Sequence, residues 1–442
     1  MASQTNASTR DAVPVSAVPA ISIGAMRRRA VLAATIGNTL EWYDFLIYGF
    51  LLITIGQLFF PAASELGSLL FSVATFGVGF VMRPIGAVVL GVYADRAGRR
   101  AALTLMIFIM ASGTGLIAVA PTYASIGIAA PLLIVIARLL QGFSCGGELG
   151  GATAILAETA PEGRRGLYAS WQAASQAAGL LLGALVTMLV SLSMTPAELE
   201  AGGWRWPFWI GLVIAPVGIY LRSRLKEPEV FLKARRRAPV PLFRQALYEQ
   251  RRALVTGIGV AVLFVACAYV LFVYMPTFAV RQLGLPFSHA LIATTVSAGV
   301  VTVSSPIFGA LSDRCGRKPL LLAGALIFAL LTHPAFVVIS TEPSAGKLAV
   351  VQSGFALAMA MYAGPAISVL AELYPTQLRS TAVSLVYNMT VALVGGFAPL
   401  TVTWLIALTG NPLAPAFYVV AAAVVSAAAL LGLRDRFREP LG

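Results

Sequence analysis

GVYADRAGRR, from Gly91 to Arg100, returns in the second half of the chain as GALSDRCGRK, from Gly309 to Lys318. Gly, Asp, Arg, Gly and two basic residues keep their spacing in both copies, and each copy lies between two long apolar segments. AETAPEGRRG (Ala157 to Gly166) likewise matches AELYPTQLRS (Ala371 to Ser380) at Ala, Glu, Pro and Arg, and RSRLKEP (Arg222 to Pro228) matches RDRFREP (Arg434 to Pro440). The three pairs are offset by 218, 214 and 212 positions, a nearly collinear series whose drift is what loop insertions and deletions leave behind. The chain therefore reads as a duplication.

What is duplicated follows from composition. Of the 442 residues 58% are hydrophobic and 11% charged, against about 25% charged in soluble domains. Apolar surface on this scale needs lipid. Twelve apolar stretches are long enough to cross a hydrocarbon layer of about 30 Å at about 1.5 Å per residue. They run from Ala30 to Phe59, Leu66 to Ala94, Ala101 to Ala120, Ile126 to Leu156, Leu167 to Met194 and Trp204 to Leu221. After a basic linker come Ala253 to Val280, Ala290 to Leu311, Leu320 to Ile339, Leu348 to Leu373, Thr381 to Leu408 and Ala414 to Leu433. With the duplication, this predicts an all-α membrane protein of twelve transmembrane helices in two pseudo-symmetric six-helix bundles.

A net charge of +13 invites a nucleic-acid partner, but its distribution argues otherwise. Of the 31 Lys and Arg residues, 26 fall in the two tails, the central linker and the loops after spans 2, 4, 8 and 10. Only Arg205, Arg281 and Lys347 fall on the other side, and Arg83 and Arg138 lie inside spans. The positive-inside rule places both termini and the linker in the cytoplasm. Charge reports topology here, with the lipid bilayer as partner. The expected organisation is a disordered tail over residues 1–26, a first bundle over 27–222, a basic linker over 223–252, a second bundle over 253–433 and a tail over 434–442. The tail before Met26 lacks an apolar core preceded by basic residues, so no cleaved signal peptide is expected. Cys145 and Cys267 lie in spans and Cys315 in a loop, which suggests no disulfide framework.

The repeated GxxxDRxGR[RK] after spans 2 and 8, with RLLQG (Arg138 to Gly142) in span 4, resembles the major facilitator superfamily over residues 27 to 440. GNTLEWYDF (Gly37 to Phe45), MRPIGAVVLG (Met82 to Gly91), RLLQGFSCGGELGG (Arg138 to Gly151) and GGWRWPF (Gly202 to Phe208) are similar to its metabolite:proton symporter branch. That branch carries citrate, 2-oxoglutarate, shikimate, and proline or betaine. The run Met82 to Gly91, YASWQAASQ (Tyr168 to Gln176) and YMPTF (Tyr274 to Phe278) look most like its citrate and tricarboxylate carriers. The resemblance implies two bundles rocking about a central cavity. It also implies proton-coupled import across the cell inner membrane by a monomer, with citrate or a related tricarboxylate as first substrate and a dicarboxylate or a zwitterion such as proline or betaine as alternative. Span 5 reads AAGLLLGALV (Ala177 to Val186) without the Gly-Pro motif of drug/proton antiporters, which weakens an exporter reading.

Ionisable side chains inside spans are costly, so each is a functional candidate. Glu41, Asp44 and Tyr48 share one face of span 1 at helical spacing, span 2 contributes Arg83, and span 4 contributes Arg138, Gln141 and Glu148. At about 1.5 Å per residue Asp44, Arg83 and Arg138 reach middle depths, where opposite charges should meet. A small organic anion needs a cation to replace its hydration, and the planar fork of Arg binds carboxylate in two places, a role that suits Arg83 and Arg138. A proton-coupled carrier also needs a partly buried carboxyl that loads and releases a proton, which suits Asp44 or Glu41. The alternative for all four is a set of structural ion pairs. Gln172 and Gln176 in span 5, with Tyr387 and Asn388 in span 11, are candidates for orienting substrate, or for joining helices.

The motif aspartates suggest a cytoplasmic gate. In the fold that the resemblance implies, span 2 neighbours span 11 and span 5 neighbours span 8. Asp95 should then meet Arg379 and the first turn of span 11, and Asp313 should meet Arg165 and the first turn of span 5, since a helix N-terminus carries about half a positive charge. Glu158 is expected to pair with Arg99 or Arg100, and Glu372 with Arg317. No cofactor is expected; the coupling ion is the proton, with sodium the open alternative. No GxxxxGK[ST] nucleotide site is present, and two histidines with dispersed cysteines form no catalytic cluster. A non-transporting membrane sensor is the different-class alternative.

Overall fold

A backbone in hydrocarbon must satisfy its own N–H and C=O groups, so long apolar segments become helices. The computed structural model describes residues 23–97, 99–146, 149–223 and 250–439. The expected tail before residue 23 and the linker over residues 224–249 lie outside the described residues. The first half holds α1 (Ile23–Phe50, continued by Leu52–Phe59), α2 (Glu65–Ala97), α3 (Arg99–Val119), α4 (Ala129–Cys145 and Leu149–Thr159), α5 (Arg165–Ser193) and α6 (Trp206–Ser223). The second holds α7 (Arg251–Cys267, Ala268–Val273 and Met275–Arg281), α8 (Phe287–Cys315), α9 (Arg317–Thr341), α10 (Ala345–Glu372), α11 (Thr376–Thr390, Val391–Gly395 and Ala398–Thr409) and α12 (Ala414–Leu431).

Among the described residues nine helices are long and apolar enough to cross a bilayer, or ten when the bent pair in α1 counts as one. The other two expected spans are α3, whose apolar part Thr104–Val119 is shorter, and the 18-residue α6. Hydropathy counts length and misses local hydrogen-bond register, so three spans expected as continuous rods are interrupted. The two pieces of α1 meet at 62° around Leu51. Helices α7 and α11 each contain a π-helical turn, Ala268–Val273 and Val391–Gly395. Such turns strain the regular ladder, and a neighbouring side chain compensates in both: Gln352 Nε2 donates to Leu271 O at 2.9 Å, and Tyr418 Oη donates to Val394 O at 2.7 Å.

Small residues set how closely the rods approach, because helices in lipid associate through packing rather than exclusion of water. A Cβ placed on Gly142 of α4 would lie 1.6 Å from Gly79 O, and one on Gly86 of α2 would lie 1.9 Å from Phe143 O. Between the bundles Gly166 of α5 and Gly309 of α8 do the same reciprocally, at 2.4 and 2.5 Å from each other's carbonyl oxygen. The first glycine of the second motif is thus a seam residue. Its counterpart Gly91 has nothing within 4 Å of an added Cβ. Gly142→Ala forces α2 and α4 apart, an overpacking cost of about 1–3 kcal/mol. The expected result is a lower apparent unfolding temperature for the purified protein, with Gly91→Ala unchanged; equal temperatures for both variants would refute this packing account.

Candidate functional site

The seam between the bundles encloses a narrow cavity of about 50 Å³, lined from the first bundle by Trp42, Gln176 and neighbouring apolar residues and from the second by Tyr269, Tyr387 and an apolar wall. Contacts join the bundles on both sides of it. On the face that carries the two motifs, Asp313 accepts from Gly166 N at 2.7 Å through Oδ1 and from Leu167 N at 2.9 Å through Oδ2. The carboxylate of α8 therefore caps the first turn of α5, where free N–H groups and the helix dipole favour negative charge. Arg317 ties Asp313 Oδ1 at 3.0 Å, Glu372 Oε1 at 3.1 Å and Ser312 O at 2.7 Å. Arg165 of the first bundle reaches Glu372 Oε1 at 3.5 Å and Phe437 O at 3.1 Å.

Glu158 pairs across the seam with Arg379, whose Nη1 lies 2.7 Å from Glu158 Oε1. Arg379 also donates to Ala371 O at 2.8 Å and Tyr374 O at 3.3 Å, which fixes the guanidinium at the start of α11. The side chains of Asp95, Arg99 and Arg100, and Glu148 as a whole, lie outside the described residues. On the opposite face Arg281, at the end of α7, pairs with Glu65, at the start of α2.

At mid-depth no salt bridge among the described residues joins Arg83 or Arg138 to a carboxylate within 4 Å, although Glu41 lies within electrostatic range of Arg83. Both guanidinium groups lie against aromatic rings instead. Arg83 Cζ stands 4.4 Å from the Phe45 ring centroid, 4.8 Å from Phe80 and 5.5 Å from Trp42. Arg138 Cζ stands 4.1 Å from Phe45, 4.8 Å from Tyr48 and 5.0 Å from Phe76. Cation–π attraction of this kind offsets part of the cost of burial.

The two arginines then differ. Arg138 donates to Phe45 O at 3.1 Å, to Gln141 Oε1 at 2.8 Å and to Phe76 O at 3.5 Å, so it pins α4 to α1 and α2 away from the cavity lining. The Nε of each is buried with no partner, so the difference is that Arg83, 2% exposed, has no counterpart to the carbonyl and amide bonds of Arg138 among the described residues. Its neighbour Trp42 lines the cavity.

Asp44 is buried against α6, where a Cβ on Gly211 would meet its Oδ1 at 2.3 Å, and it is not among the cavity-lining residues. Glu41 is partly buried and lies within electrostatic range of Arg83 and Tyr387. Gln172 belongs to a polar network inside the first bundle, where its Nε2 donates to Asn38 Oδ1 at 3.2 Å and Asn38 donates on to Ser175 Oγ at 2.7 Å. Asn388 bridges the bundles by donating to Gly146 O at 3.0 Å. Of the residues proposed to orient substrate, Tyr387 and, one helical turn after Gln172, Gln176 line the cavity. Tyr269 was invisible in the sequence, since a tyrosine in an apolar span reads as packing and only the π-helical turn of α7 brings it to the seam.

A lipid-embedded helical pair of bundles, fastened on two faces around a mid-depth polar site, is the architecture of a secondary carrier. A sequence model of the family described as "Sugar (and other) transporter" matches residues 30–239 and 237–433, and the chain belongs to that family. It is 38% identical over 401 residues to the citrate-proton symporter of Klebsiella pneumoniae, covering 91% of this chain and 90% of that protein. It is 34% identical over 429 residues to the proline/betaine transporter of Escherichia coli (strain K12), covering 94% and 85%. Among solved structures the xylose transporter XylE from E. coli, in a partially occluded inward-open conformation, superposes with a TM-score of 0.77 at 20% identity, covering 94% of this chain and 99% of that one. The protein is thus a multi-pass membrane transporter with the major facilitator fold.

Proposed function

We propose that this protein is a proton-coupled symporter that imports a small carboxylated metabolite across the bacterial inner membrane, with the motif face towards the cytoplasm. The observation that carries the reading is Arg83: a buried cation in an aromatic box beside the central cavity, whose Nε–H has no hydrogen-bond partner among the described residues. A buried donor left unpaired costs about 1–3 kcal/mol, which an incoming carboxylate removes. Citrate or a related tricarboxylate is the first candidate, supported by the names of the relatives at 37–38% identity. A dicarboxylate, or a zwitterion such as proline or betaine, is the second, supported by the relatives at 34%. All of these carry the carboxylate that Arg83 suits.

For coupling we place Glu41 ahead of Asp44. The proton site must sense whether substrate is bound, and Glu41 shares the neighbourhood of Arg83 and Tyr387, whereas Asp44 faces α6. Uptake by proteoliposomes from a panel of labelled acids, with pH and sodium gradients imposed separately, tests substrate and ion together. Glu41→Gln is expected to abolish pH-driven accumulation while leaving counterflow measurable, and Asp44→Asn to retain more than about half of accumulation. Loss of accumulation in Asp44→Asn with Glu41→Gln intact would return the role to Asp44. Accumulation driven by sodium and not by pH would replace the proton.

A further inference from the structure

We propose that Tyr269 is a substrate-contacting residue whose hydroxyl donates, from the second bundle, to the same carboxylate that Arg83 holds from the first. The inference rests on the carboxylate reading given above and adds to it the residue through which the second bundle feels the substrate.

Tyr269 lies in the π-helical turn Ala268–Val273, is 1% exposed and lines the central cavity. Its ring crosses the seam into the aromatic box of Arg83. The ring centroid lies 5.2 Å from Phe80 and 6.4 Å from Trp42, both of which also flank the Arg83 guanidinium. The hydroxyl has no hydrogen-bond partner among the described residues. A buried tyrosine hydroxyl normally finds a partner, because burying it unpaired is costly. Two further buried donors around the same space are likewise unmatched: Arg83 Nε from α2 and Gln176 Nε2 from α5.

Three unpaired donors from three helices call for an acceptor with several lone pairs, and a carboxylate offers about four. The rest of the second-bundle wall, with Phe264, Val265, Phe272, Val273 and Met359, is apolar. Apart from Tyr387, Tyr269 is therefore the polar contact that this wall presents to an anion. A ligand held by Arg83 on one side and Tyr269 on the other draws the bundles together, so occupancy and closure become one event.

Tyr269→Phe tests this, because it keeps the ring and removes only the hydroxyl. Citrate and glycine betaine serve as probes on the purified full-length protein, read by thermal shift and equilibrium binding. The expected result is an unfolding temperature without ligand that is unchanged or raised, since an unmatched polar atom has gone. For the probe that wild type binds, the Kd should rise about 10- to 150-fold, as for loss of a hydrogen bond to a charged group, and the ligand-induced shift should shrink. The fully methyl-esterified form of that probe, in which no carboxylate remains, should bind both proteins alike. An unchanged Kd for Tyr269→Phe overturns the assignment. So does a fall in the ligand-free unfolding temperature with the ligand-induced shift preserved, which would make the hydroxyl structural. If wild type binds neither probe, nor any acid taken up in the transport panel, the carboxylate reading itself fails and the assignment falls with it, an outcome distinct from a variant that matches a binding wild type.

Discussion

Asp313→Ala slows net uptake by about 100-fold while substrate affinity stays within about 2-fold of wild type. The basis is the pair of bonds that Asp313 accepts from Gly166 N and Leu167 N at the start of α5, reinforced by Arg317. Hydrogen bonds to a charged group contribute about 1.5–3 kcal/mol each, so losing the cap shifts the balance between closed and open motif faces by about 3 kcal/mol, or roughly 100-fold. Asp313→Asn keeps one acceptor oxygen and should fall between the two. Affinity is spared because neither Asp313 nor its partners line the cavity. Accessibility of single cysteines placed on the motif face would report the shift directly. Wild-type rates in Asp313→Ala, or a rate loss matched by an equal loss of affinity, would remove this contact from the gate.

Arg83→Lys weakens substrate binding by about 10- to 100-fold although the charge is kept. Lysine presents a compact ammonium in place of a planar fork, so it cannot hold two carboxylate oxygens at once and stacks less well between Phe45 and Phe80. Arg83→Gln should lose binding further. Equilibrium binding of labelled substrate settles the matter, and wild-type affinity in both variants would exclude Arg83 from the site. Arg138→Lys makes the instructive contrast. Its guanidinium is already committed to Phe45 O, Gln141 and Phe76 O, so that change should appear as lost stability.

These two predictions separate what was legible in the sequence from what was not. Duplication and most of the spans follow from spacing and hydropathy, because lipid imposes helices whatever their side chains. The meeting of Asp313 with the first turn of α5 was legible for a similar reason, since a motif repeated at fixed spacing must meet its pseudo-symmetric counterpart. Depth along a span was also readable, but rotation about the helix axis was not. Asp44, Gln172 and Arg138 all sit at plausible depths and face into their own bundle, while Gln176, one turn away from Gln172, faces the cavity. Tyr269 required the π-helical turn, a local change of register that no periodicity in AYVLFV announces.

The cavity at the seam holds about 50 Å³, against a share of about 30 Å³ for each molecule in liquid water. A metabolite with several heavy atoms cannot fit in that space, and fastened bundles lie on either side. A carrier of this shape must therefore part its bundles before cargo can enter, so admission is a matter of unfastening a face rather than of diffusion through a standing pore.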